Sequence, residues 1–286
     1  MMRNLTLFLA TICCALFFAQ GSVAQQLDMP APSPASTIMQ KVGLVDAKVV
    51  YSRPSMKGRT IFGDLVPYGE VWRTGANAST KVHFSDDVMI DGQKLEGGEY
   101  ALYTIPGEDE WTVIFSKNTG LWGSGGYEQS DDALRVTVDP MSMDKAVETF
   151  TMNFANLTDE GADLMLMWDK TGVAIPITVN TDEQVMAQID RAMKNPEASL
   201  ANMYFQSANY YYSHDKDMDK ALEWVNKAVD MRQDAFWMMH LKAKIQAEMG
   251  KKKEAIATAK KSMEVAKQAN NMDYVRLNEK LIESMN

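Results

Sequence analysis

Between Lys41 and Val179, hydrophobic and polar residues alternate over short segments, and most segments end in turn-forming residues. A period of two predicts strands that bury one face, because successive side chains of a strand point to opposite sides of the sheet. Turn signals recur about every 8 to 12 residues, which favours an antiparallel sandwich or jelly roll over a parallel sheet. Asp91-Gly92 is a typical type I′ hairpin signal. The pattern predicts nine or ten strands, chiefly at 41–51, 81–84, 88–90, 99–105, 111–116, 133–138, 147–155, 163–169 and 173–179.

After Asn180 the hydrophobic period becomes that of an α-helix. Residues 181–194 (TDEQVMAQIDRAMK) predict a helix that begins with a capping box from Thr181 to Gln184 and ends at Asn195-Pro196. From residue 198 onward the pattern is helical throughout. A final helix is expected over 273–285.

The helical part contains an internal repeat. The segments KAL at 220–222 and EAI at 254–256 are 34 residues apart, which is the period of tetratricopeptide helix pairs. Small and aromatic residues match repeat positions, at Ala208, Tyr211 and Ala228 in the first repeat and at Ala243, Gly250 and Ser262 in the second. The sequence predicts two degenerate tetratricopeptide-like repeats, with a generic α-hairpin array as the alternative. Such repeats leave a concave face free, so a protein or peptide is the expected partner.

The first 24 residues have the three parts of a secretory signal peptide. Arg3 is followed by an apolar run from Leu5 to Ala19, and small residues precede the expected cleavage after Ala24. The run is too short for a good membrane span. Cys13 and Cys14 are the two cysteines of the chain, so the mature protein is expected to have no disulfide and no thiolate metal site. The sequence predicts an exported, periplasmic protein with no membrane span; an extracellular location is the alternative.

These patterns divide the chain into five parts. The divisions are a signal peptide at 1–24, a flexible tether at 25–36, a β-sandwich domain at 37–180, a linker helix at 181–197 and a tetratricopeptide-like helical domain at 198–286. The predicted fold class is α+β with two domains, an antiparallel, jelly-roll-like β-sandwich followed by an all-α array.

The charge is unevenly distributed along the chain. Residues 181–286 contain 16 Lys and Arg against 16 Asp and Glu, whereas residues 25–180 contain 12 against 22. An acidic β domain without a basic stripe argues against nucleic acid as a partner. Four of its cations fall between Arg53 and Arg73, which favours either an anionic ligand or ion pairs within the domain.

The segment from Tyr51 to Thr80 is the richest in turn-forming, cationic and aromatic residues. Its glycines and prolines predict a structured loop between strands, and loops on a β scaffold often carry binding sites. A second glycine-rich loop, LWGSGG, spans residues 121–126. Aromatic rings could stack on a sugar, and the cations and the amide could bind its hydroxyl groups or a carboxylate. The candidate ligand-binding residues are Arg53, Arg59, Tyr68, Trp72, Arg73, Asn77 and Trp122.

Other chemistry has weaker support in the sequence. The three histidines are scattered, and no phosphate-binding or dinucleotide-binding motif is present, so no metal, no cofactor and no catalytic residue is predicted. The first hypothesis is a non-enzymatic binding protein for a small polar or anionic ligand. One alternative is an envelope or carbohydrate-acting enzyme that uses a loop carboxylate, Glu70 or Glu99. The other is a purely structural loop, in which Arg53 and Arg73 bind backbone carbonyls and acids and Trp72 fills the core.

Two long motifs carry a resemblance to a known family. These are SRPSMKGRTIFGDLVPYGEVWRTGANAST, which begins at Ser52, and GGEYALYTIPGEDEWTVIFSKNTGLWG, which begins at Gly97. Over about residues 36–179 the chain resembles the bacterial family of domains of unknown function numbered 2911. The resemblance implies a shared β fold and an exported protein, and it implies no catalytic residues.

Overall fold

A computed structural model describes residues 29–194 and 200–285. The chain divides into two compact units, and the boundary follows Val179. The predicted signal peptide, the first residues of the tether and the predicted helix end at Asn195-Pro196 lie outside the described residues. Within the described ranges, no helix has both the length and the apolar character needed to cross a membrane.

The first unit consists of two antiparallel sheets. The larger has the strand order β1-β2-β3-β6-β7-β8, and the smaller has the order β5-β4-β10-β9. The described residues that precede the helices form these strands: β1 Ala35–Val42, β2 Val45–Ser52, β3 Thr80–Phe84, β4 Val88–Ile90, β5 Gln93–Leu95, β6 Gly98–Ile105, β7 Trp111–Ser116, β8 Asp132–Val138, β9 Pro140–Ala155 and β10 Gly161–Thr178.

The core of this unit lies between the two sheets, where alternate side chains of both sheets form one buried cluster. In β2, for example, Val45, Ala47, Val49 and Tyr51 are buried and the residues between them are more exposed. This is the pattern that a period of two predicts. The predicted β domain followed by a helical array is confirmed, and the Asp91-Gly92 turn has the positive φ values of a type I′ hairpin, 46° and 73°.

Strands β6 and β7 are also covered on their other face. The outward side chains of Ala101, Tyr103 and Ile114 are buried, and loop residues that include Val71 and Leu121 pack on them. These two loop residues come from the two glycine-rich loops noted in the sequence. Both loops therefore lie against the outer face of the larger sheet.

Several strands differ from the prediction; for example, β5 is not predicted, and β9 begins at Pro140, before the predicted segment 147–155. The predicted strand 41–51 is two strands, because the chain turns at Gly43 with φ of 55°. The first of them, β1, begins at Ala35 within the predicted tether. The two predicted strands at 163–169 and 173–179 are one strand, β10, which has irregular register around Asp169.

Six helices follow in the part of the chain that the structure describes. They are α1 Thr181–Met193, α2 Ala201–Ser213, α3 Met218–Met231, α4 Phe236–Glu248, α5 Lys252–Gln268 and α6 Met272–Ser284. The predicted capping box of α1 is wrong by one residue. Asn180 is the N-cap, and its side-chain oxygen accepts a hydrogen bond from the backbone N–H of Glu183. Ile189 of α1 packs in the core of the helical unit.

Small residues mark the crossings in the helical unit. Ala221 and Ala255, which are 34 residues apart in sequence, are both fully buried. Alanine at a helix crossing lets two helix backbones approach closely, so larger side chains can pack beside it. The helices pack most extensively as the consecutive pairs α2 with α3, α4 with α5, and α5 with α6.

A buried polar chain joins the last three helices. Asn278 is fully buried, and its amide N–H groups donate to the hydroxyl of Ser262 and the carbonyl of Tyr274. Its oxygen is 2.8 Å from Nδ1 of His240, so it accepts the Nδ1–H of that ring. The Ser262 hydroxyl donates to the carbonyl of Phe236 at 2.7 Å. Every side-chain polar atom of Asn278 therefore has a partner.

The buried hydrogen bonds around Asn278 predict that the stability of the helical unit depends on pH. Burial lowers the pKa of His240 below its ordinary value of 6.5; the hydrogen bond that its ring donates to Asn278 raises it and the charge of Lys244 lowers it. The unfolded state therefore binds more protons than the folded state below pH 6.5, so stability falls as the pH falls through this range. His240→Asn keeps a donor near Nδ1 and does not titrate. We expect acidification from about pH 7.5 to about pH 5 to destabilise wild type more than the variant.

Hydrogen exchange of α4 to α6 at both pH values measures this difference. Equal losses of protection in wild type and His240→Asn would contradict the assignment to His240.

Candidate functional site

The loop that follows β2 is fastened to the sandwich by main-chain hydrogen bonds. Trp72 and Thr104 of β6 exchange two of them, at 2.8 and 2.9 Å. Further along, Gly69 donates to the carbonyl of Pro106, and Phe150 of β9 donates to the carbonyl of Pro54. The loop is thus held at both sheets, which positions its side chains with little freedom.

Trp72 lies in the core. Its ring is 9% exposed and is surrounded by Phe62, Trp111, Phe150 and Trp168, with ring centroids 5.1 to 6.4 Å away. The indole N–H donates to the carbonyl of Gly75 at 3.1 Å. This is the structural role that the sequence left as an alternative for Trp72.

Three other candidates hold the loop together through hydrogen bonds. Arg53 donates from Nε to the carbonyl of Phe150 at 3.0 Å and from Nη2 to the hydroxyl of Thr151 at 2.7 Å. Arg59 donates to the carbonyls of Met56 and Ser55. The Asn77 amide donates to the carbonyl of Ser33 and the hydroxyl of Ser52. These contacts are those expected of a purely structural loop, because the side chains already bind groups of the protein.

Arg73 differs from the other cations of the loop. Its Nε is buried and has no hydrogen-bond partner. Among the described residues, its guanidinium forms neither a hydrogen bond nor an ion pair. A buried donor without a partner costs about 1 to 3 kcal/mol, so most buried donors are paired. Because no protein group satisfies this cation, an acceptor from outside the protein would stabilise it.

A cavity of about 360 Å³ lies beside this side chain. Its volume is in the usual range of small-molecule sites, about 300 to 1,000 Å³. Polar groups of Ser33, Glu70 and Ser124 share the wall with Arg59 and Arg73. The apolar part of the wall is formed by Pro54, Leu65, Val66, Pro67, Val71, Trp72, Ala76 and Trp168.

The second glycine-rich loop completes this cavity. Ser124 lines it, and the backbone of Gly123 approaches the guanidinium so closely that a Cβ at this position would lie 3.2 Å from Nη1 of Arg73. Gly123 also has φ of 86°, which favours glycine. The sequence pattern predicts this loop, but Trp122 is the only candidate residue that it indicates there. The density of glycine in residues 121–126 was the signal that could have led to Gly123 and Ser124.

The three aromatic candidates are not brought together. Tyr68 lines a separate cavity of about 350 Å³ with Phe62, Trp111 and Lys170. Trp122 is 75% exposed, and no ring contact joins it to Tyr68 or Trp72 among the described side chains. The structure gives no common surface on which these three rings could stack against one sugar.

Sequence reasoning missed a polar cluster beneath the second loop. Nζ of Lys81 donates to the hydroxyl of Ser79 at 2.5 Å, and burial lowers the pKa of Lys81, opposed by the charge of Glu99. A serine beside such a lysine has the composition of a nucleophile and its base. However, Ser79 is only 3% exposed and also donates to the carbonyl of Leu121, so it does not face a substrate in this conformation.

The other potential chemical groups are dispersed. No cluster of three histidine, cysteine, aspartate or glutamate side chains that could hold a metal occurs in residues 29–194 and 200–285. Glu99 is exposed in β6, opposite His83 of β3, whereas Glu70 lies at the Arg73 cavity. The structure thus separates the two carboxylates that the sequence analysis named together.

A comparison with protein families matches residues 33–177 to the model described as Protein of unknown function (DUF2911), over just above half of the chain. The chain belongs to the DUF2911 family. The matched DUF2911 domain includes both glycine-rich loops and every residue that lines the Arg73 cavity. No curated protein and no solved structure matches the chain significantly.

Proposed function

We propose that this DUF2911 protein is an exported binding protein whose β domain holds a small anionic ligand at Arg73. The observation that carries the proposal is the buried Nε of Arg73, which has no partner and belongs to a side chain that lines a cavity of about 360 Å³. A ligand carboxylate would accept hydrogen bonds from the guanidinium, and such charge-assisted bonds are about twice as strong as neutral ones.

The neighbouring residues support an oxyanion better than a purely apolar ligand. Ser33, Ser124 and the second cation, Arg59, line the same cavity. Arg59 is already fixed by the carbonyls of Met56 and Ser55, and it forms no ion pair with a carboxylate of the described residues. A preorganised cation needs little reordering when an anion binds.

Export is the second part of the proposal. It rests on the N-terminal sequence, whose basic, apolar and small-residue segments are those of a secretory signal peptide. A periplasmic location would give the β domain access to small polar solutes. N-terminal sequencing of the protein purified from the cell envelope tests this part, and we expect the mature chain to begin at Gln25.

The third part of the proposal gives the helical unit a peptide partner through tetratricopeptide-like repeats. The support is the 34-residue spacing of Ala221 and Ala255 and a half-buried pair that joins the first helices of the two repeats, in which Nζ of Lys244 lies 4.6 Å from the ring centroid of Tyr212. A peptide-display screen of the whole protein tests it. We expect the selected peptides to bind Tyr212→Ala more weakly than wild type. Equal binding to wild type and this variant would argue against a peptide site beside Tyr212.

The enzyme alternative now rests on Glu70, since this carboxylate lines the cavity. It differs from the binding hypothesis in one measurable respect. An enzyme would convert the ligand that it binds, so prolonged incubation with any ligand found should release a product in wild type and none in Glu70→Gln. Ligand recovered unchanged favours the binding protein.

A thermal-shift screen tests the main proposal. The purified protein is mixed with carboxylates, uronic acids and inorganic phosphate, and the same screen is run on Arg73→Met and Arg53→Met. We expect at least one anion to raise the melting temperature of wild type and of Arg53→Met, and none to raise that of Arg73→Met. Arg53 is the matched control because it is the same residue type in the same loop, but its donors are already bound. Equal shifts in wild type and Arg73→Met would overturn the proposal.

A further inference from the structure

Glu70 and Arg73 form an unusual pair on the wall of the cavity. They carry opposite charges and are three residues apart in the chain, yet no oxygen of Glu70 lies within 4.0 Å of a nitrogen of Arg73. Within the described part of the chain, neither side chain has any other ion pair. Two opposite charges so close in sequence commonly neutralise each other. Here both remain available to something in the cavity.

We infer that the ligand is a zwitterion, an α-amino acid or a short peptide with a free ammonium group. This inference rests on the proposed function and names the ligand class of the same site. A ligand carboxylate would accept from Arg73, and the ligand ammonium group would donate to the carboxylate of Glu70. A simple organic acid would use the guanidinium groups alone and would leave Glu70 as a nearby negative charge that disfavours it.

The charges of the cavity define the class further. Arg59 and Arg73 supply two positive charges and Glu70 supplies one negative charge. Electrostatic complementarity requires the reverse in the ligand, which is two carboxylates and one ammonium group. An acidic amino acid such as glutamate has this composition.

The apolar wall fits the remaining atoms of such a ligand. Pro54, Val66, Pro67 and Val71 present aliphatic groups, and Trp168 adds an aromatic ring. These groups would contact the methylene carbons between the two carboxylates and exclude water from them. The hydroxyl groups of Ser33 and Ser124 are available for carboxylate oxygens that the two guanidinium groups do not reach.

Titration calorimetry with three matched probes tests the inference. L-Glutamate has the ammonium group, glutarate lacks it, and N-acetyl-L-glutamate replaces it with a neutral amide. We expect wild type to bind L-glutamate at least about tenfold more tightly than either of the others, a difference of one charge-assisted interaction. Glu70→Gln should bind L-glutamate about as weakly as glutarate and should bind glutarate no more weakly than wild type does.

The control variant is Glu110→Gln, which removes an exposed acid from the turn between β6 and β7. It should bind all three probes as wild type does. Glu70 is itself exposed, so Glu70→Gln is expected to keep the melting temperature of wild type.

Two results would overturn the inference. If glutarate binds wild type as tightly as L-glutamate and Glu70→Gln changes neither affinity, the ligand is an anion without an ammonium group, and the binding function at Arg73 stands. If L-glutamate does not bind wild type, the zwitterion is excluded as the ligand class. The anion screen with Arg73→Met then decides separately whether the binding function fails as well.

Discussion

Replacing Trp72 by alanine is expected to destabilise the β unit by about 3 to 5 kcal/mol, which is the usual effect of truncating a large buried aromatic residue. The ring contacts Phe62, Trp111, Phe150 and Trp168, and removing it leaves a hole where the loop meets both sheets. The variant also loses the hydrogen bond from the indole to Gly75. Hydrogen exchange of β6 and β7 in urea reports the stability of this unit separately from that of the helices.

Trp122→Ala is the matched control for that experiment. Trp122 is 75% exposed, so its loss should change the free energy of unfolding by no more than about 0.5 kcal/mol. If Trp72→Ala and Trp122→Ala have equal effects, Trp72 is not the core residue that its contacts indicate.

Replacing Arg73 by methionine is expected to leave the ligand-free protein as stable as wild type, or more stable by up to about 3 kcal/mol. The substitution removes a buried N–H that has no partner and keeps the apolar part of the side chain. Stability and binding should therefore change in opposite directions at this position. Residues that bind ligands often lower the stability of the ligand-free protein.

For Arg53→Met we expect the opposite effect, a loss of stability. It leaves the carbonyl of Phe150 and the hydroxyl of Thr151 without their charged donor, and we expect a loss of about 1.5 to 3 kcal/mol. Urea unfolding of both variants without ligand measures the contrast. A loss of stability in Arg73→Met as large as that in Arg53→Met would indicate that Arg73 also holds the loop.

The fold could be predicted wherever burial follows a local period. β2, β6, β7 and the helical part could be predicted because their apolar residues recur with the period of a strand or a helix, and Asp91-Gly92 specifies its own turn. β1 was missed because it is an edge strand whose alternate residues Thr37, Met39 and Lys41 are exposed. An edge strand is stabilised by its partner's backbone, and the side-chain pattern carries little of that information.

The candidate site could be predicted only as far as the loop. Sequence places Arg53, Arg59 and Arg73 in one segment and treats them alike. Their difference depends on partners that are distant in the chain, since Arg53 meets Phe150, whereas Arg73 approaches Gly123. Which donors remain unpaired, and where a cavity forms, follow from tertiary packing. Glu70 shows the same limit, because no sequence pattern separates it from Glu99.

The most direct test of the account is the state of the Arg73 Nε–H itself. A nitrogen–proton correlation spectrum of the arginine side chains, with Arg73 assigned from the signal lost in Arg73→Met, would be recorded with glutarate, glucuronate, L-glutamate and inorganic phosphate in turn. We expect the Arg73 Nε–H signal of the free protein to have the chemical shift of a donor without an acceptor, and to move with at least one anion, while the Arg53 signal stays unchanged. An Arg73 signal that moves with none of the anions would contradict the account.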